Sequence, residues 1–326
     1  MYQATINDLV KAGVDPHLAD KITKKRQFIN PELELDKILR TGVSVLTQED
    51  TGFPDSLKTI HSSPPLIYLR GDPTLLSKEL LAVVGSRKIT SYGKNVVEHL
   101  VPSICDLDVG IVSGMAYGVD AAALEACISH GGKPVAVLAS SLLYGEISPK
   151  ANFQLAQKIE QVGCLISENP PGGFVGKMHF PLRNRIVSAL SLGIVIIEAG
   201  LKSGSLGTAK IGLEQGKEIF AVPGSIFSPN SEGTLDLIKR GAKCVTSIQD
   251  IAQEFGWDVN TGQQILEFTN ANHKLVIESI HQGYNTVDSI AQQTKFNSHQ
   301  VLTIITELEL LGALHKGGNG VYHKVR

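Results

Sequence analysis

The sequence predicts an α/β protein: a Rossmann-like, doubly wound and mostly parallel sheet, with a small N-terminal helical unit and a C-terminal winged-helix domain. Short apolar runs such as LLAVVGS, KPVAVLAS and GIVIIEAG indicate strands that are buried on both faces. Stretches with helical periodicity separate these runs, and this alternation is typical of parallel sheets with helices on both sides. With 326 residues, the chain has room for more than one folded unit.

The three units are expected to follow one another along the chain. Residues 1–63 have the pattern of a small helical unit, which a turn cluster at 62–65 ends. Residues 64–257 contain the alternating strands and helices of the Rossmann-like domain. The polar segment 258–264 is typical of a linker. Residues 266–326 show three helical patterns and then two short strands around a glycine-rich turn, which is the outline of a winged helix.

The composition narrows the class of protein. Hydrophobic residues make up 42% and charged residues 19% of the chain, as in a globular protein that is neither disordered nor fibrous. The net charge of −2 gives no general attraction for nucleic acid, so DNA binding would need a local basic patch. The N-terminus lacks a signal sequence and no apolar run could cross a membrane, which predicts a cytoplasmic protein without membrane contact. Four cysteines without a Cys-x-x-Cys pair predict reduced thiols and no bound metal.

Three loops that follow predicted strands are candidates for ligand binding, because ligands of such sheets bind outside the carboxyl ends of the strands. In SGSLGTA, glycines let backbone amides approach an oxyanion, and the helix expected from Thr208 onward adds a positive dipole end. For this loop alone, a tight strand-to-helix connection that binds no ligand is an equally good interpretation. The presence of three such loops favours ligand binding. The candidate residues of the loops are Gly85, Ser86, Arg87, Ser113, Gly114, Ser203, Gly204, Ser205, Leu206, Gly207 and Thr208.

Arginines near these loops could hold phosphate. Arg87 ends the first core strand, where its guanidinium could clamp a phosphate with two hydrogen bonds; a solvated surface arginine is the alternative. Lys88 is expected to face elsewhere. Arg183, Asn184 and Arg185 lie at a predicted helix start and suit either phosphate oxygens or the bracing of neighbouring loops.

Because Arg183 and Arg185 are two residues apart, they point in different directions on a helix. We expect at most one of them to touch a ligand and the other to pair with a carboxylate such as Glu168 or Glu198. The sequence leaves open which arginine does which.

Lys150 and Phe153 lie three residues apart and share a face if a helix begins this early. A cation beside an aromatic ring suits a nucleotide, with the lysine on the phosphate and the ring stacked on a base. On these residues alone, a core position is the better interpretation of Phe153. Asp120 follows Gly118-Val119 and is predicted to cap a helix rather than to act as a catalytic acid.

The chain lacks the usual catalytic motifs: it has no nucleophile elbow, no His-Glu-x-x-His and no spaced carboxylate cluster. The segment VVGSRKITSYG also lacks the Gly-x-Gly-x-x-Gly fingerprint of dinucleotide sites. We therefore expect a protein that is not an enzyme and needs no cofactor.

Seven segments, in this order, resemble the DprA/Smf family of DNA-processing proteins: VGSR, SGMAYGVDAAALEA, SPKAN, ISENPPG, FPLRNRIVSALS, IEAGLKSGSLGTA and FAVPGS. The resemblance implies a cytoplasmic homodimer, joined through its Rossmann-like domains, that protects single-stranded DNA in natural transformation and loads the recombinase RecA onto it. It also implies a DNA pocket with Arg87, Lys150 and Phe153, which the other loop and arginine candidates complete. Two positions depart from the family pattern: Gly233-Thr234-Leu235 replaces Gly-x-Asn, and Gly207 stands where a bulkier residue is usual.

Two other functions fit parts of the pattern. SGSLGTA resembles the Pro-Gly-Gly-x-Gly-Thr loop of lysine-decarboxylase-like enzymes that hydrolyse nucleoside 5′-monophosphates, but that group has a glutamate where this chain has Ile211. The C-terminal domain could be a duplex-binding module, but its recognition-helix candidate, residues 298–311, has two glutamates and no lysine or arginine. We expect this domain to contact protein.

Overall fold

The computed structural model describes residues 3–173, 175–176, 178–258, 271–310, 314–316 and 320–324. Contacts divide the chain into two compact units, Met1–Val259 and Asn260–Arg326. The three-way division at 63, 257 and 266 stays a prediction.

The first unit begins with three short helices, α1 (Ile6–Lys11), α2 (Pro16–Arg26) and α3 (Pro31–Leu39). Their N-caps are Thr5, Asp15 and Asn30, whose side chains accept hydrogen bonds from first-turn amides. A strand that the sequence pattern did not reveal follows: β1 (Ser44–Thr47) pairs antiparallel with β2 (Leu66–Gly71), and the short helix α4 (Asp55–Lys58) lies between them. Residues before position 63 therefore contribute a strand to the main sheet.

The central sheet has nine strands in the described residues, in the order β1-β2-β6-β5-β4-β3-β7-β8-β9. The seven strands from β6 to β9 in this order are mutually parallel, and β2 runs antiparallel to both of its neighbours, β1 and β6. The apolar runs LLAVVGS, GIVSG, KPVAVLAS, GCLISE, GIVIIEAG and KEIFAVPG, whose pattern predicts strands, are confirmed as strands. The remaining strands are β3 (Leu80–Val84), β4 (Gly110–Ser113), β5 (Pro134–Leu138), β6 (Cys164–Ser167), β7 (Gly193–Ile196), β8 (Glu218–Ala221) and β9 (Lys243–Cys244).

Helices cover both faces of the sheet, as the doubly wound prediction requires. Side chains of β3 alternate between the two cores: Leu81 and Val83 enter one, Ala82 and Val84 the other. The first core contains side chains of α5 (Ser91–Cys105), α6 (Val119–Ser129), α7 (Phe153–Val162) and α11 (Ile248–Phe255). The second contains side chains of α4, α8 (His179–Leu190), α9 (Gly204–Glu214) and α10 (Glu232–Lys239).

The chain reverses its direction of travel across the sheet at β3. From β3 it proceeds through α5 to β4 on one side, and it later returns to β7 on the other side of β3. The helices that follow β3 and β7, α5 and α9, pack on opposite faces. Such a switch point opens a crevice at the carboxyl ends of the two strands, where ligands of this fold class bind.

The second unit contains the helices α12 (Ala271–His281), α13 (Val287–Thr294) and α14 (Ser298–Leu310) and the antiparallel strands β10 (Leu314–Lys316) and β11 (Tyr322–Lys324). Its core includes Val276, Ile290, Val301 and Leu308. This element order fits the expected winged helix, an interpretation that stays a prediction. Most of the proposed linker 258–264 and the turn residues 317–319 lie outside the described residues.

Candidate nucleic-acid interface

An open crevice of about 860 Å³ lies at the carboxyl ends of β3, β4 and β7. The structure brings most of the predicted loop residues together in its lining. The predicted residues that line it are Gly85, Ser86, Arg87, Gly114, Arg183, Asn184, Ser203, Gly204, Ser205, Gly207 and Thr208. We call this site the switch-point crevice.

The first turn of α9 forms one wall of the switch-point crevice. Ser203 is its N-cap: the Ser203 hydroxyl accepts a hydrogen bond from the Ser205 amide at 3.4 Å and lies 2.7 Å from the Ser205 hydroxyl. The helix starts at Gly204, earlier than the predicted Thr208, because this cap offsets the low helix propensity of two glycines. The positive end of the helix dipole makes this wall suitable for an anion.

Exposed cations surround this helix start. Arg87 is exposed, and its guanidinium carbon lies 5.7 Å from the ring centroid of Phe180, which also lines the crevice. Lys88 and Lys202 are exposed lining residues too. Lys88 is exposed, as expected, and its carbonyl accepts a hydrogen bond from the side-chain amide of Asn230 at 3.2 Å, which holds this part of the loop at the crevice. The direction of its side chain stays a prediction.

Two buried charges form the floor. The Arg183 guanidinium donates hydrogen bonds to the carbonyls of Gly114 and Val137, and a Cβ at Gly114 would overlap it. Burial lowers the pKa of Arg183 to about 10, although the neighbouring Asp120 carboxylate favours the charged form. Burial raises the pKa of Asp120. The charge of Arg183 and hydrogen bonds from backbone amides, including that of Ala116 at 3.4 Å, act in the opposite direction and lower this pKa.

The prediction that Asp120 caps a helix is wrong. Gly118 is the N-cap of α6, with φ of 77°, and Asp120 lies within the first turn. Its carboxylate instead accepts from amides of the loops after β3 and β4. Asp120 therefore connects two loops of the crevice with Arg183.

Glu198 fixes the loop after β3 and does not pair with an arginine. Its carboxylate accepts hydrogen bonds from the Thr90 amide at 2.9 Å and from the Thr90 hydroxyl, and its carbonyl accepts from the Ser86 amide at 2.7 Å. Thr90 is in turn the N-cap of α5. The loop that carries Arg87 is thus anchored at both ends.

The two arginines of α8 have different surroundings. Arg185 pairs with Glu168, with Nη2 2.5 Å from Oε2, whereas Arg183 lines the crevice. The expectation that one arginine pairs with Glu168 or Glu198 is confirmed, and the structure assigns this pairing to Arg185.

The other predicted residues lie outside the crevice lining. The Ser113 hydroxyl is buried and donates to the Val83 carbonyl at 2.7 Å, and Leu206 packs against the second core. Lys150 is exposed on a short 3-10 helix, Lys150–Asn152. Phe153 is half-buried against the first core, edge-on to Tyr144, with centroids 5.6 Å apart.

Asn152 connects this segment to the crevice. Its side-chain amide donates to the carbonyls of Met115 at 2.9 Å and Ala116 at 3.3 Å, in the loop after β4. Lys150 and Phe153 therefore form a second patch that borders the same loop. Among the lining residues, Lys88, Lys202, Phe180 and Asn230 were not predicted. For the two lysines a signal was available in the sequence, because each is a cation next to a loop that contains candidate glycines.

Among the described residues, no group of three or more His, Cys, Asp or Glu side chains is arranged to hold a metal ion. The described helices include none with the length and apolar character needed to cross a membrane.

Residues 44–256, more than half of the chain, match the family model described as DNA recombination-mediator protein A. The chain belongs to this family. It is 42% identical over 214 residues to DNA processing protein DprA of Bacillus subtilis, covering 65% of this chain and 71% of that protein. It is 35% identical over 270 residues to protein Smf of Escherichia coli, covering 80% and 72%.

Solved structures of family members share the fold. DNA processing protein A of Streptococcus pneumoniae aligns with a TM-score of 0.69 at 35% identity, over 77% of this chain and 87% of that one. That of Helicobacter pylori, whose structure concerns its single-stranded DNA binding mode, aligns with a TM-score of 0.59 at 30% identity, over 65% and 95%.

The two departures from the expected DprA pattern fit the structure. A Cβ at Gly207 would meet no atom within 4 Å, so the position accepts glycine or a larger residue. Gly233 packs against the Ala199 backbone, and its amide donates to the Ala199 carbonyl at 2.7 Å; Thr234 is buried and donates to the Ser231 carbonyl at 3.1 Å. The first turn of α10, which contains Gly233 and Thr234, is thus a structural support behind the crevice.

Proposed function

We propose that this protein binds single-stranded DNA in the switch-point crevice and does so without catalysis. One observation carries the proposal: the exposed cations Arg87, Lys88 and Lys202 surround the N-terminus of α9 in a single open crevice. Cations together with the positive end of a helix dipole bind phosphate oxygens. The overall charge of −2 makes this local arrangement the source of attraction for DNA.

The contacts available favour a single strand. Backbone phosphates would bind Arg87, Lys88 and Lys202, and the ring of Phe180 in the lining, or of Phe153 in the neighbouring patch, offers a surface for an unpaired base. Duplex DNA keeps its bases stacked inside, so it cannot use such a surface. The single-stranded DNA binding mode described for the H. pylori relative supports this choice.

The test is fluorescence anisotropy with labelled single-stranded and duplex oligonucleotides over a range of salt concentrations. Wild type should prefer the single strand, and affinity should fall steeply with salt. Arg87→Ala removes one charged phosphate contact, so affinity should fall by about tenfold and the salt slope by about one. Arg240→Ala is the matched control, because the side chain of Arg240, the C-cap of α10, is 75% exposed and lies outside the crevice lining.

If folded wild type prefers duplex DNA, binds independently of salt, or is weakened equally by the two substitutions, the proposal fails. Lys150→Ala distinguishes the neighbouring patch from the crevice. A loss of affinity comparable to that of Arg87→Ala would indicate that one strand contacts both.

We further propose that the protein acts in the cytoplasm as a homodimer through its Rossmann-like domain, protects incoming single-stranded DNA in natural transformation and loads RecA onto it. The support is family membership together with the resemblance of the seven motifs. Light scattering should give twice the chain mass of 35.0 kDa. RecA assembly on single-stranded DNA should begin sooner when the protein is present, and Arg87→Ala should abolish this acceleration.

The enzymatic alternative predicts base release from nucleoside 5′-monophosphates. Two observations argue against it: Ile211 lines the crevice where the hydrolases have a glutamate, and the Asp120 carboxylate is already hydrogen-bonded to loop amides. Incubation of purified protein with purine and pyrimidine monophosphates, followed by chromatography, should detect no free base.

A further inference from the structure

Two of the four cysteines lie in contact. Cys105 and Cys127, 22 residues apart in sequence, have their sulfur atoms 3.7 Å from each other. Cys105 is half-buried at the last residue of α5, and Cys127 is buried in α6. Cys164 is also buried and Cys244 is exposed, so the chain contains an inaccessible and an accessible thiol for comparison.

The turn after α6 packs directly on both sulfurs. A Cβ at Gly132 would lie 2.5 Å from the Cys105 sulfur and 2.8 Å from the Cys127 sulfur, closer than any side chain tolerates. The Gly132 amide also donates to the Cys127 carbonyl at 2.8 Å. Glycine at this position therefore leaves the space in which the two sulfurs meet.

The surroundings make the two thiols unequal. When Cys105 loses its proton, the Cys127 thiol can donate a hydrogen bond to it, which lowers the pKa of Cys105, and the nearby positive charge of His130 acts in the same direction. The same contact and burial raise the pKa of Cys127. His130 is held by Asp106, with Nε2 and Oδ1 2.7 Å apart. Cys105 is thus the more readily ionised thiol, and Cys127 stays protonated beside it.

We propose that Cys105 and Cys127 are a redox-active pair that a hydroperoxide converts to an intramolecular disulfide. The Cys105 thiolate attacks one oxygen of hydrogen peroxide, the O–O bond breaks, hydroxide leaves and takes up a solvent proton to become water, and Cys105 becomes a sulfenic acid. The Cys127 sulfur then attacks the Cys105 sulfur, the S–O bond breaks, and water leaves with the Cys127 proton. Overall, two thiols are oxidised to a disulfide and one hydrogen peroxide is reduced to two waters.

The position of Cys105 allows the sulfurs to approach. They must close from 3.7 Å to about 2.05 Å. Cys105 ends its helix and is followed by a turn that contains Asp108 at φ of 57°, so a small shift breaks no interior helical hydrogen bond. The disulfide would join α5 to α6, the two helices that begin at the crevice loops after β3 and β4.

The experiment treats the reduced full chain with graded hydrogen peroxide, blocks the remaining thiols in denaturant and identifies the cysteine peptides by mass spectrometry. Cys105 and Cys127 should disappear together as a cross-linked peptide that has lost two hydrogen atoms, while Cys164 stays alkylatable. Dithiothreitol should restore both thiols. This outcome does not depend on DNA binding, so it is independent of the proposed function.

Variants separate the pair from general thiol oxidation. With Cys127→Ser, oxidised Cys105 should stop at a sulfenic acid that a dimedone probe traps; with Cys105→Ser, Cys127 should stay a thiol; and the matched control Cys244→Ser should form the disulfide as wild type does. His130→Ala should slow alkylation of Cys105 about threefold for each pKa unit gained. Circular dichroism checks that each variant is folded.

Three results would overturn the proposal. One is that Cys105 stays reduced at peroxide concentrations that oxidise exposed Cys244. Another is that Cys105 passes to sulfinic acid while Cys127 remains a free thiol. The third is that Cys105 is recovered only in disulfides between two molecules.

Discussion

Charged side chains at the two ends of the parallel strands are held in opposite ways. We call the end at which the strands have their carboxyl termini, and where the crevice lies, the crevice edge. At the crevice edge, Arg183 and Asp120 are buried and hydrogen-bonded to loop backbone. At the other edge, beyond the ends of α5 and α6, His130 and Asp106 form a pair that is 39% and 66% exposed. A buried charge depends on its partners, because water cannot replace them, whereas an exposed charge is screened. The crevice edge is therefore where a substitution should affect both stability and binding.

Two arginines within the crevice, Arg183 and Arg87, show the same contrast between a buried and an exposed charge. Arg183 has its guanidinium committed to the carbonyls of Gly114 and Val137, whereas Arg87 is exposed beside Phe180. We infer that Arg183 sets the spacing of the loops and that Arg87 is free to bind a ligand. Arg87→Ala should then reduce binding without reducing stability, which separates the two roles.

The largest stability effect is expected for Arg183→Ala. The substitution leaves Asp120 without its compensating charge and removes the guanidinium donor from two carbonyls, which should reduce the free energy of unfolding by about 3–5 kcal/mol. The only tryptophan of the chain, Trp257, packs against Phe255 in the first unit with ring centroids 4.7 Å apart, so its fluorescence reports unfolding there. Guanidinium titration followed by this fluorescence gives the measurement.

Arg185→Ala is the matched control for this prediction. Its pair with Glu168 is less buried, with 12% and 34% of the side chains exposed, so its loss should be smaller. If both variants lose the same amount of unfolding free energy, the deeper burial of Arg183 does not make the crevice floor more sensitive to substitution than the Arg185 pair.

The fold could be predicted from the sequence because buried parallel strands produce continuous apolar runs. β1, β2 and β9 were missed: β9 has only two residues, and β1 (SVLT) and β2 (LIYLRG) are interrupted or flanked by polar residues and do not form continuous apolar runs. The crevice was predictable from topology, since the ends of parallel strands meet at one edge. The orientations of Arg183 and Asp120, and the meeting of Cys105 with Cys127, depend on packing between distant segments and leave no local pattern.

An intermediate effect is expected for Gly114→Ala, with Gly207→Ala as its control at the same edge. A Cβ at Gly114 overlaps the Arg183 guanidinium, so overpacking should cost about 1–3 kcal/mol. A Cβ at Gly207 meets nothing within 4 Å inside α9, so alanine should stabilise the protein by about 0.5–1 kcal/mol. The same denaturation assay measures both. A Gly207→Ala variant that is destabilised would show that the first turn of α9 is constrained by more than its local space.

The smallest effect is expected at the opposite edge, where it should depend on pH. The hydrogen bond with Asp106 raises the pKa of His130 above its ordinary value. Because the folded state binds this proton more tightly, the pair stabilises the protein fully below the unfolded pKa of about 6.5, and the contribution disappears as pH rises through the raised value. Unfolding of wild type and Asp106→Asn should therefore differ at about pH 5.5 and coincide at about pH 8.5. A difference that persists at alkaline pH would show that Asp106 stabilises this edge by contacts other than the charged histidine, and the contrast between the two edges would then need another explanation.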